Sequence, residues 1–457
     1  MIKKYFKLII KDEVNIEFEG LDAATRRKCH NSQKYTDPSA KYSPQARYGY
    51  WDGSVSFFSQ GGKSYFNIID EIFPILEKEG YETDFEQLLK LDLIEDHRKN
   101  WPVFNFDPVD EEYIFKNCPN PYWPEGHPAE GEPILLRDYQ AEAINKFLEN
   151  HSCVEELATS FGKTITCAAM AHCCEKYGRT IVIVPNKDLV LQTEEDYLNI
   201  GLDCGAYFGD RKDFNKTHTI CTWQSLERLH KDSGKDGKPT IEEFIEGVVC
   251  IIIDEAHTIS GESLKKLLLG PLSNIPIRWG LTGTVPKKPI DAKNLMITVG
   301  PKVHEVTARF LMDQGYLSQC HLDIIQMKEY MSFSSWPDEQ KFIASDENRI
   351  LWIAEFAKEM SKTGNTLILV NNIETGKALE KLIDGLDFIY GKIKSKDRKT
   401  KYKSVNKENN MIFAANYQVA STGLNIPRIF NLILVDVGKS YTRVIQSIGR
   451  GVRKAKG

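Results

Sequence analysis

The chain has 457 residues, of which 41% are hydrophobic and 27% are charged, and its formal net charge at pH 7 is −5. This length predicts about three domains, and the composition is that of an ordinary globular protein, neither disordered nor embedded in a membrane. The charge balance excludes a uniformly basic nucleic-acid coat protein but leaves room for local basic surfaces.

Two further features concern the compartment. No apolar run approaches the roughly 20 residues that span a bilayer, and the amino terminus lacks the apolar segment of a signal peptide. The ten cysteines lie between Cys29 and Cys320 without a C-x-x-C pair. We therefore expect free core thiols, rather than disulfides or zinc ligands, and a cytoplasmic protein.

Residues 1–126 are predicted to form a small α+β domain that ends in a proline-rich linker. The pattern predicts a strand over residues 3–18, short helices over 22–29 and 68–80, and a hairpin formed by residues 46–50 and 54–58 around Asp52-Gly53. Charge is divided within this domain, because residues 1–66 carry 11 basic and 7 acidic side chains whereas residues 67–126 carry 5 and 15. The two halves are therefore expected to have different roles.

From Leu135 onward, short β-branched apolar runs alternate with helical stretches. Such runs are typical of central strands in parallel sheets of α/β domains. They fall at residues 180–184, 217–222 and 248–253, and again at 366–370, 410–414 and 432–435. We predict a first α/β lobe over residues 127–290, a connecting region over 291–325 and a second lobe over 326–457.

A phosphate-binding loop is predicted at residues 157–164, ahead of a helix over residues 165–177. Gly162, Lys163 and Thr164 then lie at a helix amino terminus, where backbone N–H groups and the helix dipole bind phosphate. In such loops the lysine reaches the β and γ phosphates and the threonine binds Mg²⁺. Leu157 replaces the first glycine of the usual pattern, and the Gly-Lys-Thr triplet alone is a weak signal.

The apolar run at residues 248–253 ends in Asp254-Glu255-Ala256-His257. A phosphate-bound Mg²⁺ needs a carboxylate at a strand end, and hydrolysis needs a second carboxylate to orient or deprotonate the attacking water. Asp254 and Glu255 fit these two roles. The alternative is a solvated turn with a capping acid, which the phosphate loop upstream disfavours.

In this order the motifs resemble those of superfamily 2 helicases of the Asp-Glu-x-His type, over residues 135–457. That family commonly replaces the first glycine of the loop, as Leu157 does here. The resemblance implies two RecA-like parallel-sheet lobes that use ATP and Mg²⁺. It also implies that Gln140 reads the adenine base. The alternative is that the segment around Gln140 is only a helix start capped at Asp138. The implied nucleotide-binding residues are Arg137, Gln140, Thr159, Ser160, Phe161, Gly162, Lys163 and Thr164.

The resemblance also covers coupling and the second lobe. Residues 281–284 match the segment that links hydrolysis to movement, which implies a coupling role for Thr282, Gly283 and Thr284 with His257. Residues 420–425 resemble the fifth motif of the family. Residues 446–453 match Q-x-x-G-R-x-x-R, whose arginines stabilise the transferred phosphoryl group in the family. The alternative is that these arginines are solvated residues on a helix. The implied catalytic residues are Lys163, Asp254, Glu255, Gln446, Arg450 and Arg453, with Thr164 and Asp254 binding the metal.

In this family the nucleic acid is bound mainly through its phosphates, so sequence-independent binding is implied. Trp223 is interpreted either as a base-stacking residue or as a core tryptophan. The run at residues 392–403 holds seven Lys/Arg and one Asp, and it is either a solvated helix face or a backbone contact. The matching positions are Pro185, Asn186, Thr222, Trp223, Gln224, Asn371, Thr422 and Gly423.

Residues 47–53, 305–308 and 315–317 together resemble the UvsW recombination helicases of tailed bacteriophages. This implies remodelling of branched DNA in recombination, repair and replication, a front domain that binds nucleic acid, and the host cytoplasm as the compartment. For residues 47–53 a stable hairpin turn is the structural alternative. In that family a further strand and tail follow the arginine motif, whereas this sequence stops at Gly457, so we expect a second lobe that is either truncated or completed by another chain.

Other functions stay open on the sequence alone. An RNA helicase would share every motif, and a nucleotide-switched clamp would close on DNA without translocating. Glu255, Arg450 and Arg453 argue against the clamp, since a switch has no need of rapid hydrolysis. A restriction-type motor subunit is a further alternative, although no cluster of nuclease carboxylates is evident.

Overall fold

The computed structural model describes residues 3–127, 129–235, 239–319, 321–328, 331–390, 409–417 and 429–435. These residues divide into two compact units. The first unit holds residues up to 157 and residues 163–305, and the second holds residues 158–162 and those from 306 onward.

The front module, residues 3–126, is a small sheet covered by short helices. Its elements are β1 (Lys7–Ile10), β2 (Asn15–Glu19), α1 (Ala23–Ser32), β3 (Lys34–Thr36), α2 (Pro44–Arg47), β4 (Ser54–Ser56), β5 (Lys63–Tyr65), α3 (Ile69–Lys78), α4 (Phe85–Lys90), β6 (Ile94–Asp96) and α5 (Tyr113–Asn117). The four-stranded sheet has the order β5-β2-β1-β6. Alternate residues of β1 and β2 are buried, as expected for strands with one face on a core.

The helices predicted at residues 22–29 and 68–80 are confirmed as α1 and α3, but the predicted hairpin around Asp52-Gly53 is wrong. Residues 44–47 form α2, and β4 pairs with β3 instead. Pro44 occupies the first turn of α2, where its fixed φ favours a helix, and Gly49 follows the helix with φ 76°. The Asp-Gly turn signal therefore belongs to a longer loop.

The first lobe is built on an eight-stranded sheet. Its elements are α6 (Asp138–Glu149), β7 (Ser152–Leu157), α7 (Lys163–Cys174), β8 (Arg179–Val184), α8 (Lys187–Asn199), β9 (Cys204–Phe208), β10 (Arg211–Lys212), β11 (His218–Thr222), α9 (Trp223–Lys231), α10 (Ile241–Phe244), β12 (Val248–Asp254), α11 (Glu262–Leu269), β13 (Ile277–Thr282), α12 (Pro289–Thr298) and β14 (Lys302–Val306). The strand order is β10-β9-β11-β8-β12-β13-β7-β14.

The strands from β9 to β7 in this order are parallel, so their carboxyl ends meet at one edge. Three neighbouring strands, β12, β13 and β7, lead there into residues 254–257, 282–284 and 158–163. The middle of β12 is completely buried, which explains its uninterrupted apolar sequence. The sheet thus brings the predicted acidic and coupling motifs to adjacent strand ends.

The first sheet extends beyond residue 290, where the sequence prediction ended the lobe. Strand β14 is the edge strand next to β7. Its sequence, Lys-Val-His-Glu-Val, is only partly buried and lacks the continuous apolar run of a central strand. That polarity makes the sequence of residues 302–306 look like a connecting region rather than a strand.

The front module and the first lobe share one hydrophobic core. Ile290 and Ile297 of α12 belong to the same buried cluster as Phe18 and Ile72 of the module. At the rim of this cluster the ammonium of Lys293 pairs with the carboxylate of Glu71 at 2.5 Å, and the Lys293 side chain is almost completely buried. The module is therefore docked on the lobe through α12.

The second unit contains a four-stranded parallel sheet with the order β16-β17-β15-β18. Its elements are α13 (Ala308–Asp313), α14 (Trp336–Ser345), α15 (Glu347–Ser361), β15 (Thr366–Val370), α16 (Ile373–Leu382), β16 (Asp387–Ile389), β17 (Ile412–Asn416) and β18 (Asn431–Val435). The three strands predicted for this lobe are confirmed as β15, at the predicted bounds, and as β17 and β18, with shifts of two residues and one residue.

The described cysteines lie in the core of the protein. Nine cysteines are described, and all are buried and free, as predicted for core thiols. In the part of the chain that the structure describes, none of the helices combines the length and apolar character that crossing a membrane requires.

Candidate active site

The loop between β7 and α7 has an unusual backbone. Ser160 and Gly162 adopt left-handed conformations, with φ of 71° and 95°. Between them Phe161 is completely buried, and its N–H donates to the carbonyl of Ala158 at 3.1 Å. Backbone that alternates in handedness turns successive N–H groups toward one side, which is the geometry of an anion-binding loop. Thr159 and Ser160 are half-buried.

Lys163 is the first residue of α7, and its side chain is mostly buried. Its ammonium lies 3.5 Å from Oε1 of Glu255. Burial opposes the charged form of Lys163, but the carboxylates of Glu255 and Asp254 outweigh that effect and raise the pKa. Lys163 is therefore a buried, charged group aimed at the acidic end of β12. Thr164 follows it on α7 and is half-buried.

Asp254 and Glu255 have opposite electrostatic environments although they are adjacent. Burial, followed by the charge of Glu255, raises the pKa of Asp254 to about 6. Burial also opposes ionisation of Glu255, but Lys163 and His257 outweigh it and lower the pKa of Glu255 to about 2. Two carboxyl groups with separated pKa values are suited to different roles in one reaction.

The backbone at Glu255 is strained. Its φ of 53° is left-handed, a conformation that costs a residue with a side chain roughly 1 kcal/mol or more. The backbone N–H of Glu255 donates to Oδ1 of Asp254 at 2.9 Å, which fixes the Asp254 carboxylate against this turn of the backbone. Such strain is typically retained where geometry is needed for function.

His257 connects the acidic pair to the end of β13. Its Nδ1 lies 3.3 Å from Oε2 of Glu255 and 3.0 Å from Oγ1 of Thr282. The Thr282 hydroxyl in turn donates to the carbonyl of Thr284 at 3.0 Å. A continuous polar path therefore runs from Lys163 through Glu255 and His257 to residues 282–284, where Gly283 lies within the turn.

The predicted adenine-reading segment forms the start of α6. The backbone N–H of Arg137 donates to Oε1 of Gln140 at 2.9 Å, so the buried Gln140 side chain reaches back over the first turn. The Arg137 guanidinium donates to the hydroxyl of Tyr139 at 2.6 Å. Arg137 and Gln140 thus both stabilise the start of the helix. The capping residue is Arg137 and not Asp138, which is the first residue of the helix.

Three of the predicted nucleic-acid-binding positions lie where strands of the first sheet lead into helices. Asn186 follows β8 and Pro185 and caps α8, where its side chain accepts from Leu189 N–H at 3.0 Å. Thr222 ends β11 and caps α9. Both caps stand at adjacent carboxyl ends of the sheet, and the helix amino termini beside them present N–H groups that bind phosphate.

Trp223 and Gln224 differ in exposure. Trp223 is partly buried and packs against the core of the first lobe, which matches the core alternative for this tryptophan. Gln224 is exposed. In the second unit, Asn371 is exposed at the end of β15, and its carbonyl accepts from the side-chain amide of Asn416 at 2.9 Å.

Five predicted site residues lie outside the described residues. They are Thr422, Gly423, Gln446, Arg450 and Arg453. The basic run at residues 392–403 lies outside them as well.

The sequence reasoning missed a buried ionisable pair beside the phosphate loop. Glu155, in the middle of β7, is completely buried, and its carboxylate lies 3.1 Å from Nδ1 of His304 on β14. Burial raises the pKa of Glu155 to about 7, and the hydrogen bond to Glu155 raises the pKa of His304. The available signal was Glu155-Glu156 between the apolar residues Val154 and Leu157 of one strand.

Family comparisons agree with this arrangement. Residues 133–287 match the domain described as type III restriction enzyme, res subunit. Residues 348–455 match the helicase conserved C-terminal domain. The two matches follow each other in chain order and cover the two lobes, while the front module lies outside both.

Two individual relatives differ in how much of the chain they match. The ATP-dependent DNA helicase uvsW of Enterobacteria phage T4 is 24% identical over 443 residues, which cover 91% of this chain and 81% of that protein. The DNA 3'-5' translocase XPB2 of Sulfurisphaera tokodaii is 29% identical over 174 residues, which cover 38% of this chain and 36% of that protein.

A crystal structure of T4 UvsW has a similar fold. It superposes with a TM-score of 0.50 at 19% sequence identity, covering 97% of this chain and 86% of that chain. Taken with the phosphate loop, the acidic pair and the two helicase domains in order, these likenesses lead to one conclusion. The chain belongs to the superfamily 2 helicases, as an ATP-dependent DNA helicase related to UvsW.

Proposed function

We propose that this helicase uses ATP hydrolysis to remodel branched DNA, by regressing forks and migrating junctions. The observation that carries the proposal is the extent of the likeness to uvsW, which at 91% of the chain includes most of the front module. The likeness to XPB2 spans only 38%. A helicase that shares its front module with uvsW is expected to share a substrate that the module helps to select.

The geometry supports a division of roles at the carboxyl edge of the first sheet. Lys163 binds the terminal phosphates of ATP, and Glu255 orients the attacking water and accepts its proton. Lys163 and Glu255 lie 3.5 Å apart, so a phosphate that engages the lysine weakens its hold on the carboxylate. A carboxylate released from the lysine is free to hydrogen-bond the attacking water.

Asp254 and Thr164 suit Mg²⁺, which favours one or two protein oxygen ligands together with substrate phosphates. Burial raises the pKa of the Asp254 carboxyl, and a divalent cation would offset the cost of its buried charge. The metal would supply charge neutralisation at the phosphates. Nucleotide contacts are assigned to residues 159–162, Arg137 and Gln140.

The remaining assignments follow the same edge of the sheet. His257 transmits the state of Glu255 to Thr282 and Thr284, because it contacts both sides of that path. DNA phosphates bind beside the helix caps at Asn186 and Thr222, and also at Asn371. Arg450, Arg453, Gln446, Thr422 and Gly423 keep their proposed roles in phosphoryl transfer and DNA binding.

Strand separation on a forked duplex and branch migration of a four-way junction test the proposal. Wild type is expected to convert both substrates with ATP, whereas Lys163→Ala, which loses the phosphate-binding ammonium, is expected to convert neither. Equal conversion by both proteins would contradict it. ATP turnover stimulated better by RNA than by DNA would favour an RNA helicase, and failure to displace a protein roadblock during turnover would favour a clamp.

A further inference from the structure

The most exposed aromatic side chains of the described residues lie in one loop of the front module. Tyr42, Tyr48 and Tyr50 are 76%, 77% and 85% exposed. The next aromatic residue in this ranking, Phe430, is 64% exposed. Single apolar residues on a surface need no explanation, but three exposed rings within nine residues indicate a binding surface.

The backbone of this loop is fixed although its rings are exposed. The N–H groups of Tyr48 and Tyr50 donate to the carbonyls of Pro44 and Gln45, each at 2.9 Å. Trp51, which is partly buried, donates its indole N–H to the carbonyl of Ser54 at 2.7 Å. Rings presented from a preformed backbone lose little entropy on binding a ligand.

Both ends of the loop are anchored to the core of the module. The loop leaves from β3 and returns through β4, and Tyr35 and Phe57 beside these strands pack edge to face with centroids 5.5 Å apart. Just before β3, the Gln33 side chain donates to the Glu71 carboxylate at 3.1 Å, and Glu71 pairs with Lys293 of the first lobe. The loop is thus held in a defined position on the lobe.

The charge and chemistry of the loop suit nucleic acid. Between residues 38 and 51 the charged residues are Lys41 and Arg47, and there is no Asp or Glu. Within the described residues neither is paired with a carboxylate, and the Lys41 ammonium lies 4.8 Å from the centre of the Tyr42 ring. The segment contains no Leu, Ile, Val, Met or Phe, which argues against a membrane or an apolar protein groove as its partner.

We propose that residues 38–51 form an aromatic platform on which unpaired bases at a DNA branch point stack, while Lys41 and Arg47 bind the adjoining phosphates. Stacking on tyrosine is tolerant of sequence because every base presents a flat face. This proposal rests on the proposed action on branched DNA and adds the feature by which a branch differs from plain duplex. Duplex hides its base faces, so the platform favours forks and gaps.

The test is equilibrium binding of the full chain, without ATP, to a fork that carries 2-aminopurine at the first unpaired position and to a blunt duplex of equal length. Wild type is expected to quench the 2-aminopurine and to prefer the fork. The double variant Tyr48→Ala with Tyr50→Ala is expected to lose about tenfold in fork affinity for each ring, with little change on duplex. The pair Tyr48→Phe with Tyr50→Phe keeps the rings and should bind as wild type does.

Two controls make the result specific. Tyr5→Ala removes a 48% exposed tyrosine of the same module outside the loop and should leave fork binding unchanged. Lys41→Ala and Arg47→Ala should each reduce the slope of log affinity against log salt by roughly one. The proposal is overturned if the double alanine variant binds the fork as wild type does, or if it loses fork and duplex affinity equally.

The outcomes also separate the platform from the proposed function. If wild type remodels forks with ATP and the alanine variants bind and remodel forks equally well, the platform alone is overturned. Wild type that quenches 2-aminopurine in a ring-dependent way but converts no branched substrate would overturn the proposed function and leave the platform standing.

Discussion

The first lobe and the front module share a hydrophobic core but place their functional groups in opposite ways. In the lobe, Lys163 and Glu255 are mostly buried at the edge of a parallel sheet and contact each other. In the module, Tyr48 and Tyr50 are almost fully exposed on a loop outside the sheet. Bond-breaking chemistry gains from fixed charges in a medium of low dielectric constant, whereas capture of a large polymer needs open access.

The largest expected effect tests the buried side of this comparison. In Glu255→Gln the side chain keeps its size but cannot accept a proton, so DNA-stimulated ATP hydrolysis should fall by about 10² to 10³. ATP binding, measured by equilibrium titration, should persist because Lys163 is retained. Glu262→Gln, at an exposed glutamate that starts α11, is the matched control. Hydrolysis near the wild-type rate in Glu255→Gln would remove Glu255 from the mechanism.

Sequence patterns predicted the buried side of the molecule better than the exposed side. Central strands such as β12 and β15 are uninterrupted apolar runs, so burial on both faces is visible in the sequence. The phosphate loop and Asp254-Glu255 were found because their chemistry requires residue types at fixed spacing. The contact of His257 with the segment at residues 282–284 was implied only by resemblance, since residues 25 apart meet through the pairing of β12 with β13.

The predictions failed where tertiary context decides the structure. The Asp52-Gly53 turn signal suggested a hairpin, but Ser54–Ser56 pairs with the more distant Lys34–Thr36. Strand β14 was missed because an edge strand carries polar residues. The partner of Glu155, His304, lies 149 residues away, and no local pattern joins the two.

The Glu155–His304 pair predicts a pH-dependent stability of the first lobe. Both groups hold a proton more tightly in the folded chain, so the stability that each contributes is fully present below its own ordinary pKa, 4.5 for Glu155 and 6.5 for His304, and is lost as pH rises. For Glu155 the window runs from its ordinary pKa of 4.5 to about 7. The free energy of unfolding should fall by an amount on the order of 2 kcal/mol between about pH 5 and about pH 8.

Urea unfolding followed by tryptophan fluorescence at several pH values measures this effect. Glu155→Gln, which cannot ionise, should flatten the dependence, whereas the exposed Glu19→Gln should leave it unchanged. A profile of Glu155→Gln that parallels wild type would show that other groups control the pH response.

Removing the contact between His257 and Thr282 should reduce DNA unwinding more than ATP hydrolysis. Thr282→Val keeps the shape of the side chain but removes the oxygen that His257 contacts at 3.0 Å. The change also removes the hydrogen bond that the Thr282 hydroxyl donates to the Thr284 carbonyl. Each such hydrogen bond is worth about 1 kcal/mol, so base pairs separated per ATP hydrolysed should fall at least about fivefold. The ATPase rate should change much less, because Glu255 and Lys163 are untouched. Thr298→Val, a buried threonine on α12, serves as the control, and an equal loss of both activities would contradict a coupling role.

The smallest expected effect concerns the junction between the front module, which carries the exposed loop, and the first lobe, which carries the buried site. The Lys293–Glu71 ion pair has one nearly buried partner and one that is 39% exposed, so solvent screens much of the attraction. A double-mutant cycle of Lys293→Met and Glu71→Gln should give a coupling energy of at most about 1 kcal/mol in unfolding. Because Glu71 also accepts from Gln33 beside β3, each single variant should weaken fork binding slightly without changing ATP hydrolysis in the absence of DNA. Zero coupling, with normal fork binding, would mean that the apolar contacts of Ile290 and Ile297 alone position the module on the lobe.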